Sequence, residues 1–87
     1  MDFRAELIRL VECYTAATKR SEARTANLAG RDSRFFARLR EGKGCTADTL
    51  AHMRQWFSDT WPAGAEWPEG IARPAPTRAP VTAAEAA

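Results

Sequence analysis

Apolar residues recur at helical spacing from the start of the chain. Phe3, Leu7, Leu10, Val11 and Tyr14 form one stripe, and Asp2, Arg4, Glu6, Arg9 and Glu12 fill the other side. The pattern predicts a helix from residue 2 to about 18, ending near Lys19. A second segment opens at Ser21, a good N-cap, with Glu22 in the first turn where negative charge suits the helix dipole. Ala26 is small enough for a close helix crossing, and Gly30 can adopt the left-handed conformation that ends a helix. Asp32 can cap a further helix, Ser33 to Glu41. At about 100° per residue, Phe36 and Leu39 share one face of it, and Arg34, Arg38 and Glu41 share roughly the opposite face. Phe35 and Arg40 fall on the flanks. Thr46 can cap the next helix, with Asp48 in its first turn and Leu50, Met53 and Phe57 facing the core. That helix should stop at Asp59 or Thr60, because the residue before Pro62 disfavours helix. No segment alternates as a strand does, so the expected class is all-α.

From Trp61 onward the pattern changes, and all five prolines lie there. Trp61, Trp67 and Ile71 are costly to leave in water, so residues 62–72 are expected to fold back on the core or to cover a partner. Residues 73–87 are Pro- and Ala-rich with almost no apolar bulk, and disorder is expected from about Arg73. Residues 1–61 would then form the folded domain, consistent with a length that supports a single core.

Charge sharpens this picture. The whole chain carries only +2, but residues 19–43 hold eight basic against three acidic side chains, a local +5. Such a patch is the footprint of a phosphate binder. Cys13 and Cys45 lack metal-ligand spacing; Cys13 reads as a small core residue and Cys45 as a free thiol in a loop. His52 stands alone and reads as structural or solvated. Gly42-Lys43-Gly44 is not a phosphate-binding loop, which needs Ser or Thr directly after Lys. No metal, cofactor or catalytic couple is indicated, so an enzyme is not expected. The early charges and the absence of about 18 consecutive apolar residues predict neither secretory signal nor membrane span, hence a cytoplasmic protein.

Two short helices joined by a glycine turn are the helix-turn-helix signature, whose second helix enters the DNA major groove. The expected base-contacting residues are Ser33, Arg34 and Arg38, and the expected phosphate contacts are Lys19, Arg20, Ser21, Arg24, Arg31 and Lys43.

The spacing Ser21–Ala26–Gly30–Phe36–Leu39–Gly42 resembles the phage-repressor-like family of the Cro and lambda repressors. The likeness covers roughly residues 1–60. Thr25 stands where that family usually has a large aliphatic, Arg31 where it has an apolar residue, and the loop before Thr46 looks about one residue short. The resemblance implies a compact bundle of four or five helices and a sequence-specific regulator of transcription, with Ser21, Glu22, Ser33, Arg34 and Arg38 facing double-stranded DNA. A single module buries little DNA surface, so a homodimer is expected, with Ile8, Phe35 and the tryptophan region as candidate contacts. The alternative is a protein-interaction module, antitoxin or adaptor, that meets its partner through Trp61, Trp67 and the tail.

Overall fold

Asp2 opens the first element of the computed structural model, which describes residues 2–77. Its carboxylate accepts from the Ala5 backbone N–H at 2.9 Å and caps α1, Phe3–Thr18. The apolar stripe of α1 delivers Leu7, Leu10, Val11 and Tyr14 to the core, all buried. The helix ends on Lys19, whose backbone is left-handed (φ 64°) and whose N–H returns to the Thr15 carbonyl at 2.8 Å. Then follow α2, Glu22–Leu28, α3, Phe35–Arg40, and α4, Ala47–Thr60. The described residues are all-helical, with four helices and no strand. None of these helices is long and apolar enough to cross a membrane.

The core is a single cluster. Ala26 and Ala29 from α2 and its end, Phe36 and Leu39 from α3, and Met53 and Phe57 from α4 close on the α1 stripe. Tyr14 is its aromatic centre, 5.3 Å from Trp56, 5.7 Å from Phe57 and 6.1 Å from Trp61 between ring centroids. Phe3 and Ile8 are only half-buried at its edge.

After α4 the chain folds back on this cluster, and Trp61 and Ile71 are buried in it. Two similar turns carry the return. Trp61-Pro62-Ala63-Gly64-Ala65 and Trp67-Pro68-Glu69-Gly70-Ile71 repeat one pattern six residues apart. In each, the indole N–H donates to the carbonyl four residues on, Trp61 to Ala65 at 3.1 Å and Trp67 to Ile71 at 2.8 Å. Gly64 and Gly70 supply the positive φ that the turns require, 86° and 83°. Trp61 and Trp67 meet nearly edge-on at 4.8 Å.

Residues 73–77, which the composition placed in the tail, make defined contacts with α4. The Arg73 guanidinium lies over the Trp67 ring and donates to the Ser58 carbonyl at 2.8 Å and the Ser58 hydroxyl at 3.2 Å. That hydroxyl donates in turn to the Pro74 carbonyl. Thr77 donates from both its backbone N–H and its hydroxyl to Asp59, each at 2.7 Å. The segment through Thr77 is thus strapped to the last turns of α4 by polar groups rather than apolar bulk, which is why hydropathy did not reveal it. The rest of the expected tail lies outside the described residues.

Candidate nucleic-acid interface

Local chemistry sets the α2–turn–α3 unit. The Ser21 hydroxyl accepts the Arg24 N–H at 3.0 Å and caps α2. Thr25, fully buried, returns its hydroxyl to the Ser21 carbonyl at 2.8 Å, so a polar side chain fits where an aliphatic would be usual. At the other end the Arg31 N–H reaches the Ala26 carbonyl at 2.8 Å and the Gly30 N–H reaches that of Asn27 at 3.0 Å. This is a Schellman ending, with Gly30 left-handed at φ 79°. The end of α3 repeats it: Lys43 N–H to Arg38 carbonyl at 3.0 Å, Gly42 N–H to Leu39 carbonyl at 3.1 Å, and Gly42 at φ 92°. His52 Nε2 donates to the Ala29 carbonyl at 3.0 Å and braces α4 against the end of α2.

α3 is shorter than its apolar spacing suggested. It begins at Phe35, and Ser33 and Arg34 belong to the preceding turn. Asp32 builds that turn by accepting the Arg34 N–H on Oδ1 at 2.6 Å and the Phe35 N–H on its carbonyl at 3.0 Å. Phe36 and Leu39 enter the core, and Phe35 stands half-buried with its ring edge-on to Phe36.

Each expected contact residue has a definite place. Arg34 and Arg38 are exposed, and both are ion-paired: Arg34 Nη2 to Glu41 at 3.1 Å, Arg38 Nη1 to Asp32 at 2.7 Å. The Arg34 side chain is 62% accessible and that of Arg38 51%. Ser33 is exposed in the turn. Lys19, Arg24 and Lys43 are exposed, and none forms an ion pair among the described residues. Three residues expected at phosphate are otherwise engaged. The Ser21 hydroxyl is used as a cap. Arg20 donates to the Tyr14 hydroxyl at 2.7 Å and satisfies the polar end of a buried ring. Arg31 leans on α4, with Nη1 3.4 Å from the Thr49 hydroxyl and its buried Nε lacking a partner. Glu22 is held by Arg40, which also reaches Glu12 of α1 at 3.4 Å and so ties three helices together.

All three acids of the basic stretch are therefore matched to arginines of α3 and its preceding turn. The excess +5 resides on Lys19, Arg20, Arg24, Arg31 and Lys43. The backbone N–H of Arg34, followed by the Arg38 guanidinium, holds the Asp32 carboxyl below its ordinary value, so it stays ionised. Burial pushes the Cys45 thiol up, against a smaller opposing effect of Arg31, so it is a poor nucleophile at neutral pH.

The tryptophans expected to meet a partner are largely spent on the fold: Trp61 is buried and Trp67 is half-buried. Beside Trp67, a cleft of about 380 Å³ is lined by Arg9, Cys13, Glu66, Pro68 and Glu69. No family model, curated protein or solved structure matches this chain.

Proposed function

We propose that this chain is a sequence-specific, double-stranded DNA-binding regulator of transcription, acting in the cytoplasm on the nucleoid, with α2 and α3 as a helix-turn-helix. The observation that carries the reading is the two-sided character of α3 and its entry turn. Phe36 and Leu39 anchor one face, while Arg34 and Arg38 project from the other into solvent. Arginine paired to guanine O6 and N7 is the commonest specific base contact. Lys19, Arg24 and Lys43 supply unneutralised charge for phosphate. A two-fold-related homodimer would give one small module useful affinity. Leu28, 41% exposed at the end of α2, is an apolar side chain free to join such a contact.

The test is affinity for a duplex selected from a randomised library and for its scrambled counterpart, at several salt concentrations. Arg34→Ala and Arg38→Ala should each weaken selected-duplex binding by about 1–3 kcal/mol and relax preference at one base pair. Lys43→Ala should weaken binding to both duplexes alike and reduce the salt slope by about one. If both arginine variants keep the wild-type ratio of selected to scrambled affinity, α3 is not the reading element.

A further inference from the structure

We propose that Asp32 and Glu41 are positioning residues that set DNA specificity, by neutralising Arg38 and Arg34 toward phosphate while holding them for base edges. The inference rests on the DNA-reading function proposed above. Its geometry is that of two exposed carboxylate–guanidinium pairs, 2.7 Å and 3.1 Å, on the face opposite the core.

Each arginine uses one terminal nitrogen in its pair, and a guanidinium has five N–H donors in a fixed fork. Donors remain for two acceptors on a guanine edge. A paired arginine is a different object toward the DNA backbone. It adds no net positive charge and displaces no counterion of its own, and its carboxylate is repelled by phosphate. Arbitrary duplex is thus left to Lys19, Arg24 and Lys43, and the arginines gain mainly where the right base edge is present. Specificity is a difference of affinities, and weakening the wrong complex raises it as surely as strengthening the right one. Restraint by the carboxylate also leaves the long arginine side chains less freedom to lose on binding.

Two local facts make the pairs more than passing surface contacts. Asp32 is held at both oxygens, with Oδ1 accepting the Arg34 N–H at 2.6 Å and Oδ2 accepting from the Arg38 guanidinium at 2.7 Å. Glu41 caps the C-terminus of α3, where the helix dipole disfavours a negative charge. Its position makes sense through Arg34, seven residues earlier, which it reaches across the whole of α3.

Asp32→Asn keeps an acceptor for the Arg34 backbone N–H and removes the charge; Glu41→Gln keeps an acceptor for the Arg34 guanidinium and removes the charge. Glu69→Gln, in the second tryptophan turn, is the control with the same change in net charge. All are made in the full chain, checked by circular dichroism and thermal melting, and titrated with selected and scrambled duplex over a salt series. Asp32→Asn and Glu41→Gln should each bind scrambled duplex several-fold tighter, with a salt slope steeper by about one. The selected-to-scrambled ratio should fall, by about tenfold in the double variant. Asp32→Glu should restore the shallower slope, and Glu69→Gln should leave slope and ratio near wild type. Unchanged slope and ratio in Asp32→Asn and Glu41→Gln, with Arg34→Ala and Arg38→Ala still lowering the ratio, would overturn this inference and leave DNA reading standing. If no sequence is enriched, or the arginine variants also leave the ratio unchanged, the DNA-reading function falls and this inference with it.

Discussion

Lys19 shows how one residue can serve two ends. It is the only non-glycine residue with positive φ among those described, and that conformation lets α1 stop with its N–H on the Thr15 carbonyl. A side chain there costs about 1–2 kcal/mol, offset in glycine by roughly 0.5–1 kcal/mol of extra chain entropy. Lys19→Gly should therefore raise the melting temperature, by the equivalent of up to about 1.5 kcal/mol, and, under the proposed function, flatten the salt dependence of duplex binding. Opposite changes in those two measurements would separate the residue's structural and electrostatic roles. Asp32 and Asp2 add a pH dependence. Hydrogen bonds from the Arg34 and Ala5 backbone N–H groups, respectively, are the main causes that hold their carboxyls below the ordinary 3.8. A lowered folded value means the stabilisation is complete above the unfolded value and is lost as pH falls through the lower folded one. Melting temperature should be insensitive to these two groups at neutral pH and fall below about pH 4, less steeply in Asp32→Asn.

At the scale of elements, α2 and α3 are too short to persist alone and are set by their ends. Both finish in the same glycine-closed turn, so the glycines of this region are not equivalent. Gly42 has φ 92°, and a Cβ added there would meet nothing within 4 Å; backbone strain of about 1–2 kcal/mol, less roughly 0.5–1 kcal/mol of chain entropy, should make Gly42→Ala destabilising by up to about 1.5 kcal/mol. Gly44, two residues on, lies outside the left-handed region, and the nearest neighbour of an added Cβ would be Phe3 Cζ at an ordinary 3.9 Å. Gly44→Ala should be neutral or stabilising by about 0.4–1 kcal/mol, because it restricts the unfolded chain. Chemical denaturation of the two variants side by side checks the contrast.

At the scale of the whole molecule, the C-terminal return completes the core. Trp61 touches Tyr14, Phe57 and Trp67, so Trp61→Ala should cost about 3–5 kcal/mol in thermal unfolding. Arg73→Ala removes the donors to Ser58 and the cation over Trp67, and should cost about 1–2 kcal/mol. Trp67 fluorescence should report that loss by a shift toward solvent-exposed emission. An unchanged Arg73→Ala variant would mean that the strap adds nothing to stability.

The sequence by itself determined the helical class, the apolar stripes of α1 and α4, the caps at Ser21 and Thr46, and the turn at Gly30. These are local properties: periodicity, capping chemistry and the backbone freedom of glycine act within a few residues of chain. Tertiary structure decided where the polar groups went. Arg20 turns to Tyr14, six residues away, and Arg31 to Thr49, eighteen away; Arg40 joins α1 and α2. A count of charges could not distinguish these from Lys19, Arg24 and Lys43, because a cation's availability depends on which acceptor the fold brings within about 3 Å. The strap of Arg73 was hidden for the same reason. Its partners are hydroxyl and carbonyl groups of α4, and hydrogen bonds between distant segments leave no periodic trace in the sequence.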